Sequence, residues 1–530
     1  MQRNQAGTTE VRLAEVMAAL SLATDLAMGQ PLEHALSSCV LAVRLGITLG
    51  LADDLLRDVY YQALLRYIGC NAETYLMAAL VGDEIALRTD VAAVDTGNQR
   101  EVVGLILRYI RQANAGAPPL HLAQLVARGL LTSPRLFKDA FAGHCEVAQR
   151  LAARLGLGDG VVAALGQLYE RWDGRGLPNG LKGEQIALPV RVVTLAQDAV
   201  VFHRFGGVEA AVAVARERAG ASYEPRLVEH FCRQAPQLLA DLDDEPSWDA
   251  VLALEPGPRP VLGDAQFDAA CEAMADFADL KSPYLLGHSS GVAALAADAA
   301  RRCGLPDADV AAVRRAGWLH DLGRVGVSAG IWGRPGPLTE REWERVRLHP
   351  YHTERILARP PALARLGALA ALHHERQDGS GYHRGVPAAA LPPAARILAA
   401  ADIYHATTEP RPHRPARPPE TAAAELRREV RAGRLDGDAA DGVLAAAGHR
   451  VRPARRELVA GLSAREVEVL RLLARGQSMR QIAGRLFIAE KTGDNHIQHI
   501  YAKIGVSTRA GATLFALEPD LLADTEDAAK

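Results

Sequence analysis

Two stretches of the chain repeat one pattern, and this internal duplication restricts the fold more than any other feature of the sequence. Residues 167–180 read QLYERWDGRGLPNG, and residues 371–385 read ALHHERQDGSGYHRG. Matched positions lie 205 residues apart, as Glu170 and Glu375 illustrate. An offset kept through so many matched residue types indicates two related domains in one chain.

A second offset, of 254 residues, relates the copies further upstream, where it joins His34 to His288 and Gly69 to Gly323. The two offsets differ by 49 residues, so the first copy is expected to carry an insertion. A proline- and glycine-rich segment between the copies predicts an exposed linker. The predicted organisation is a first copy at 1–245 with an insertion near 70–140, a linker at 246–262, a second copy at 263–450, a C-terminal module at 458–524 and an acidic tail at 525–530.

The composition favours a helical protein of the cytoplasm. A chain of 530 residues is too long for a single core. Aromatic residues make up only 5% of it, and apolar residues recur at spacings of three and four, so the expected fold class is all-α. The six cysteines are scattered singly, as in reduced proteins. No apolar run approaches the roughly 18 residues of a membrane span, and the first residues lack a signal-peptide pattern, so no membrane partner is expected.

Histidine is concentrated in the second copy, where nine of the 17 histidines fall between residues 288 and 413. Imidazoles and carboxylates that arrive on successive helices can converge on one di-metal site. A carboxylate such as Asp321 can bridge two cations, which together activate water and stabilise the leaving oxygen of a phosphodiester. The residues in this pattern are His288, His320, Asp321, His349, His373, His374 and Asp402.

Six motifs in this region resemble, in order, those of the HD-GYP family of metal-dependent phosphohydrolases, which typically hydrolyse cyclic di-GMP. They read GHSSGVAALA, WLHDLGRVGV, IWGRPGPLTEREW, LHPYHTERIL, HHERQDGSGYHRG and ARILAAADIYHATTEPRPHR. The resemblance implies two divalent transition-metal ions, and iron or manganese suits these ligands. It implies that one metal uses His288, His320, Asp321 and Asp402, and that the other uses Asp321, His349, His373 and His374.

The resemblance also implies roles beyond the metal ligands. Asp321 and Arg324 are expected to take part in catalysis, and the DGSGY loop is expected to line the nucleotide pocket. The residues expected to bind substrate are Arg324, Asp378, Gly379, Gly381 and Tyr382.

Four positions depart from the family pattern. Tyr284 stands where members with a third metal carry glutamate, so we expect two metals. Arg324 replaces a lysine, His383 a proline and His405 an aspartate. Arginine can clamp a phosphate but does not readily release a proton. The pattern therefore favours metal binding over family-like turnover of cyclic di-GMP.

The first copy has lost most of the ligand positions and is expected to be degenerate. Of the histidines only His34 and His144 keep their place, too few for a di-metal site. The residues opposite the other ligands are Arg66, Tyr67, Leu168, Tyr169 and Gln197. Packing against the second copy and sensing a ligand are the two roles left open for it.

The C-terminal module is basic, with 11 lysines and arginines against 5 acids over residues 451–512. Ser463 and Glu466 form a capping-box pattern that opens a helix ending at Gly476. Further helices are predicted over about 479–486 and 491–504, which makes a helix-turn-helix. The module resembles the four-helix LuxR-type DNA-binding domain, which implies DNA as a partner and a homodimer on DNA.

The second helix of this pair would read bases, because asparagine and glutamine suit adenine edges and a carboxylate can accept from cytosine. Gly493 replaces the usual valine of the resembling domains. The residues expected to contact DNA are Lys491, Thr492, Asp494, Asn495, Gln498, His499 and Lys503.

Two functions remain open from the sequence. The first is a transcriptional regulator coupled to a metal-dependent phosphodiesterase that acts on cyclic di-GMP or a related nucleotide. The second is a weak or inactive HD domain that senses a metal or nucleotide and controls the helix-turn-helix. The complete ligand set favours the enzyme, whereas Arg324 and His383 favour the sensor.

Overall fold

The computed structural model describes residues 11–95, 98–116, 118–242, 247–451, 460, 462–486 and 488–517. It divides into two compact units, Met1–Arg450 and Val451–Lys530. Helices dominate both units, which confirms the predicted all-α class. None of the helices in the described ranges has the length and apolar character that a membrane crossing requires. The predicted acidic tail lies outside the described residues.

The first copy is a helical bundle with the insertion folded into it. Its bundle helices are α1 (Leu13–Ala27), α2 (His34–Thr48), α3 (Asp53–Leu65), α7 (Pro119–Arg154), α8 (Asp159–Leu165), α9 (Leu188–Glu217) and α10 (Pro225–Leu238). The insertion supplies α4 (Thr74–Val81), α5 (Glu84–Val91) and α6 (Gln99–Ala113). These three helices bury a small apolar cluster of their own, made of Val81, Leu87, Leu105 and Ile110. A short 3-10 turn covers Gly183–Gln185.

The segment between the two copies is exposed only in part. Residues Ser247–Ala253 form helix α11, in which Trp248 is 4% exposed and Val251 is fully buried. Further on, strand β2 (Val261–Leu262) pairs with β1 (Val11–Arg12) in antiparallel register. The apolar residues of this segment pack against the core, which composition alone did not reveal.

The second copy repeats the bundle. Its helices are α12 (Asp264–Asp279), α13 (His288–Arg302), α14 (Asp307–Leu319), α15 (Ala329–Trp332), α16 (Glu340–Arg347), α17 (His349–Leu357), α18 (Pro361–Ala370), α19 (Pro393–Thr408), α20 (Pro419–Arg431) and α21 (Gly437–Ala446). Two 3-10 turns, Leu322–Gly326 and Ala388–Ala390, connect them.

The duplication is visible in matched backbone contacts. A Cβ on Gly69 would meet the carbonyl oxygen of His144 at 1.8 Å, and a Cβ on Gly323 would meet that of His349 at 2.1 Å. Both positions therefore require glycine for the same close approach of two segments. Equivalent glutamates, Glu170 and Glu375, each accept two backbone N–H groups nine and eleven residues further along. The two copies therefore share the close backbone approach and the glutamate hydrogen bonds that stabilise this fold.

The two copies share one hydrophobic core. Its buried members include Leu20 and Leu36 of the first copy and Phe277 and Ile356 of the second. Between the copies, the side-chain amide of Asn71 donates to the carbonyl of Phe277 at 3.0 Å. Since the apolar faces of both copies cover each other, the first copy is part of the packing of the second.

The C-terminal unit contains the predicted helix-turn-helix. Its helices are α22 (Ala464–Ala474), α23 (Met479–Leu486), α24 (Glu490–Ile504) and α25 (Arg509–Ala516). The capping box is present, because Ser463 N donates to Glu466 at 2.6 Å and Glu466 N donates to the Ser463 hydroxyl at 3.3 Å. Gly493 lets α24 approach α23, since a Cβ there would lie 2.3 Å from the Met479 sulfur. The Met479 side chain therefore occupies the space beside position 493.

We predict that alanine has opposite effects at two glycines of this unit. Gly484 lies on α23 with open space around its Cα, so Gly484→Ala should stabilise the helix by about 1 kcal/mol. Gly493→Ala should bring no such gain, because the new methyl group meets Met479. Hydrogen exchange of the helix amides in the full chain measures both effects. Met479→Ala should restore the gain at position 493; equal stabilisation by both single substitutions would contradict the contact.

Candidate metal centre and helix-turn-helix

Helix ends bring seven polar residues of the second copy to one buried place. His288 and His349 are the first residues of α13 and α17. The other five follow or occupy neighbouring helices, with His320 and Asp321 after α14, His373 and His374 after α18, and Asp402 inside α19. Six of the seven are at most 3% exposed, and His374 is partly buried.

The two oxygens of Asp321 face two different groups of imidazoles. Its Oδ2 lies 3.1 Å from His320 Nε2 and 3.5 Å from His288 Nε2. Its Oδ1 lies 3.4 Å from His349 Nε2 and 3.6 Å from His373 Nε2. Asp321 is therefore the residue common to both groups.

Asp402 contacts the first of these groups and also lies near His374. Its Oδ1 is 3.3 Å from His288 Nε2, and its Oδ2 is 3.8 Å from His374 Nδ1. The His374 ring packs edge-on against His349, with centroids 5.0 Å apart. The seven residues thus form two adjoining sets that meet at the carboxylates.

Hydrogen bonds fix the orientation of the imidazoles. The Nδ1 atoms of His320, His349 and His373 lie 2.6–2.7 Å from the backbone carbonyls of Gly317, Val346 and Ala370, each three residues earlier. A carbonyl can only accept, so each Nδ1 carries the proton and each Nε2 presents a lone pair to the centre. Metal-ligating histidines are held in this way.

The arrangement fits a pair of cations. Among the described residues, several buried atoms that face the centre have no hydrogen-bond partner: His288 Nε2, His320 Nε2, both carboxylate oxygens of Asp321 and Asp402 Oδ1. The lone pairs of His349 Nε2 and His373 Nε2 face each other at 3.1 Å. Buried acceptors left like this are unfavourable unless a cation lies between them. Nitrogen and oxygen donors in this mixture suit transition metals such as iron and manganese.

The electrostatics keep the ligands in their binding forms. Burial alone would raise the pKa of Asp321, but Arg324 and the neighbouring imidazoles hold it well below its usual range. Burial lowers the pKa of His373 to about 4 and also lowers the pKa of His349 and of His374. His288 differs: burial opposes its charge, but the neighbouring carboxylates of Asp402 and Glu409 raise its pKa to about 9.

Arg324 contacts the bridging carboxylate directly. Its Nε lies 2.9 Å from Asp321 Oδ2, and its guanidinium carbon lies 4.9 Å from the ring centroid of Trp332. The residue is 8% exposed. The positive charge of Arg324 therefore contacts the Asp321 oxygen that faces His288 and His320.

The residues expected to bind substrate lie in different settings. The Tyr382 ring packs on the His374 ring, with centroids 4.6 Å apart, so it joins the centre. Gly379 has a φ of 76°, and a Cβ on Gly381 would lie 2.4 Å from Glu375 Cα, so both glycines shape the loop. Asp378 is exposed and accepts from the Ser380 amide and hydroxyl. Its carboxylate is therefore occupied in holding the turn.

Sequence reasoning missed Glu409 and Arg411. Glu409 Oε2 lies 2.8 Å from His288 Nδ1 and 2.9 Å from Arg411 Nη2, and Glu409 Oε1 lies 3.3 Å from His405 Nδ1. Glu409 follows α19 directly, and the chain turns back toward α13 there. The only signal in the sequence was an acid one residue beyond the helix that carries Asp402.

The equivalent place in the first copy is filled by other side chains. His34 contacts Arg204, and Gln197 donates to the Tyr67 hydroxyl. The Tyr169 hydroxyl lies 3.3 Å from His144 Nδ1 and 3.2 Å from Cys70 Sγ. In the described part of the chain, the groups of residues spaced to hold a metal all belong to the second copy.

The C-terminal unit exposes the predicted DNA-contacting residues on α24. All seven side chains, Lys491, Thr492, Asp494, Asn495, Gln498, His499 and Lys503, are exposed. The ammonium of Lys503 also lies 2.7 Å from Glu466 Oε2. Burial opposes ionisation of Glu466, but Lys503 and Ser463 lower its pKa to about 2. Lys503 therefore pairs with the capping-box glutamate while its side chain remains partly exposed.

Comparison with known proteins agrees with both parts of this architecture. The HD domain model matches residues 121–226 and again residues 272–439, once in each copy. The model described as bacterial regulatory proteins, luxR family, matches residues 460–516. HD-domain phosphodiesterases are metal-dependent.

Similar proteins include two phosphodiesterases. The chain is 32% identical over 423 residues to the 3'3'-cGAMP-specific phosphodiesterase 3 of Vibrio cholerae. The matched region covers 78% of this chain and 90% of the relative. It is 37% identical over 141 residues to a cyclic di-GMP phosphodiesterase of Thermotoga maritima, covering 26% and 38% of the two chains.

A solved structure is also similar. The crystal structure of a cyclic GMP-AMP specific phosphodiesterase of V. cholerae superposes with a TM-score of 0.57 at 28% identity. It covers 83% of this chain and 99% of that chain. The chain therefore belongs to the HD-GYP family of HD-domain phosphodiesterases and carries a C-terminal helix-turn-helix domain of the luxR family.

Proposed function

We propose that the second copy is a di-metal phosphodiesterase that opens a cyclic dinucleotide, and that the C-terminal unit binds DNA. The observation that carries the first part is the set of buried Nε2 and carboxylate atoms that face one centre, several of which make no hydrogen bond within the described part of the protein. On this proposal the protein is a transcriptional regulator linked to the breakdown of a nucleotide signal.

The seven residues divide into two ligand sets. One cation would be held by His288, His320, Asp321 and Asp402, and the other by Asp321, His349, His373 and His374. Asp321 would belong to both sets, as the two directions of its oxygens support. A pair of divalent ions supplies Lewis acidity toward water and toward the phosphate oxygens.

The protein groups around the centre would position the substrate. Arg324 keeps Asp321 ionised and, as a fixed cation, can neutralise charge on a phosphate. The Tyr382 ring covers His374 and limits access of water on that side. Burial raises the pKa of Tyr382, so its hydroxyl stays neutral and can donate a hydrogen bond to a phosphate or ribose oxygen.

The substrate class follows from the relatives. One relative that spans most of the chain is named for 3'3'-cGAMP, and shorter matches are named for cyclic di-GMP. A 3'3'-linked cyclic dinucleotide is the substrate class that these names share. Rates measured with both nucleotides decide which purine bases the site prefers.

A second function, a sensor without turnover, is favoured by one contact. Arg324 Nε touches the same Asp321 oxygen that a cation would use, so the guanidinium and a metal compete for it. His383 adds a further change in the loop beside Tyr382. In a sensor, nucleotide binding would alter the helix-turn-helix without hydrolysis.

We predict that the purified chain carries two transition-metal ions and that Asp321→Ala loses most of both. The reason is that this side chain would be a ligand of each ion. Elemental analysis of the full chain measures the content. His34→Ala, which alters the corresponding position of the first copy, should keep the wild-type content. Full occupancy in Asp321→Ala would rule out the ligand assignment.

We predict that manganese-loaded protein hydrolyses 3'3'-linked cyclic dinucleotides, and that His373→Ala and Asp402→Ala lose at least about 100-fold. Even outer partners of metal ligands are worth about 10–100-fold, so loss of a ligand should exceed this. Chromatography of the products of 3'3'-cGAMP and cyclic di-GMP gives the rates. His144→Ala in the first copy is the matched control.

Restoring family residues provides the second arm of this test. Arg324→Lys combined with His383→Pro should raise the rate with cyclic di-GMP if these replacements limit it. Nucleotide binding without hydrolysis by any metal-loaded form, before and after the restoration, would instead establish the sensor.

We predict that the chain binds DNA as a dimer at a two-fold site and that binding weakens with salt. One helix in one major groove makes few base contacts, so two half-sites about one helical turn apart are expected. Each phosphate contact should add about −0.9 to the slope of log affinity against log salt. Gel-shift titrations with selected and random DNA measure both quantities.

Two exposed residues of α24 should separate base reading from phosphate contact. Asn495→Ala should lose about 1–3 kcal/mol at one base position of each half-site. Lys491→Ala should weaken all sequences alike. Failure of the full chain, with metal and nucleotide, to prefer any sequence over random DNA would refute the regulator.

A further inference from the structure

The insertion of the first copy reaches the turn of the second copy that carries Asp321. Glu84 is the first residue of α5, and its side chain is completely buried. The neighbouring Asp83 caps the same helix by accepting from two backbone amides, which fixes the position of Glu84. A carboxylate so deep in the protein requires compensating partners.

The partners of this carboxylate among the described residues belong to the second copy. Glu84 Oε1 lies 2.9 Å from Lys281 Nζ and accepts from Ala329 N at 3.0 Å. Its Oε2 accepts from the Ser328 hydroxyl at 2.7 Å. Lys281, equally buried, donates to the carbonyl of Val325 at 3.0 Å. The pair therefore holds both Val325 and the start of α15.

The segment that this pair holds leads directly to the metal centre. Val325 follows Arg324, and α15 ends at Trp332. The indole N–H of Trp332 donates to the Arg324 carbonyl at 3.3 Å, and the indole ring lies beneath the Arg324 guanidinium. The same ring packs edge-on against His349, with centroids 5.7 Å apart. Glu84 is thus linked through α15 and Trp332 to His349, and through Lys281 and Val325 to the turn that carries Asp321 and Arg324.

The pair is charged although it is buried. Burial would raise the pKa of Glu84, but Lys281 and three hydrogen bonds lower it overall. Burial lowers the pKa of Lys281, and Glu84 opposes this change. Charge-assisted hydrogen bonds between buried groups are short and directional, so they fix the atoms that they join.

We infer that Glu84 is a positioning residue of the metal centre, which holds residues 321–332 so that Asp321 and Arg324 stay aligned. Lys281 supplies its counter-charge. The first copy therefore contributes more than a packing surface, because its insertion completes the support of the proposed site. The inference rests on the proposed function only where turnover is measured.

The test compares two double variants, Glu84→Gln with Lys281→Met and Glu84→Ala with Lys281→Met. Charge is absent from both, and both lose the Lys281 donor to Val325. Only the glutamine keeps an oxygen that can accept from Ala329 N, together with an amide group that can donate to the Ser328 hydroxyl. Fluorotryptophan in place of the five tryptophans reports on residue 332 by fluorine NMR, with Trp332→Phe identifying its signal. Steady-state kinetics of the manganese-loaded full chain gives kcat and KM.

We predict that the alanine variant shifts the Trp332 signal and loses about 100-fold in kcat with KM little changed, because small displacements of reacting groups have effects of this size. The glutamine variant should lie closer to wild type than the alanine variant in both readouts, because it keeps the contact with α15. Asn71→Ala removes another buried contact between the copies, to Phe277, and should change neither readout. The same Trp332 signal and the same kcat in both double variants would overturn the inference.

Two further outcomes are distinguished by the design. If the alanine variant does not fold, Ser328→Ala removes one donor to Glu84 and should shift the Trp332 signal in the same direction. An unshifted signal in Ser328→Ala would then overturn the inference. If the wild-type chain hydrolyses no dinucleotide, the proposed function fails, while the fluorine signals still decide the role of Glu84.

Discussion

The organisation of the second copy depends on one buried carboxylate, that of Asp321. A carboxylate that is 1% exposed destabilises a fold unless positive or hydrogen-bonding groups surround it. Here the surrounding groups are imidazoles whose Nδ1 atoms are tied to backbone carbonyls, and the guanidinium of Arg324. The helix ends bring these groups together around the negative charge of Asp321 and so compensate it. The rest of the bundle positions the helix ends.

The first copy shows which parts of this scaffold belong to the fold and which to the chemistry. Gly69 and Gly323 permit the same close approach, and Glu170 and Glu375 bind equivalent amides. At the ligand positions, by contrast, tyrosine and glutamine fill the space and satisfy one another. A carboxylate that needs a cation has been replaced by neutral groups that do not. The helical scaffold of the first copy therefore persists without a metal centre. The hydrophobic core that both copies share still requires this scaffold.

The sequence carried more information about spacing than about contacts. Offsets of 205 and 254 residues defined two copies, and helical periodicity predicted the all-α class, because both are properties of the chain alone. Long-range pairs were hidden: Glu84 meets Lys281 across 197 positions, and Glu409 folds back on His288. The contact between Lys503 and Glu466, 37 residues apart, was hidden for the same reason. The buried linker helix was missed because composition does not reveal which face is covered.

Arg324 is the residue whose contacts distinguish the enzyme hypothesis from the sensor hypothesis. Arginine cannot lose its charge in a protein, so its ion pair with Asp321 stabilises the site even when no other cation is bound. A lysine at this position could be neutralised by burial and leave the carboxylate dependent on metal. With arginine, the second copy can keep its shape without a metal, and binding of a phosphate must draw the guanidinium away from Asp321 or share it. On the proposed function, the extent of that exchange would decide whether a bound nucleotide is cleaved or only held.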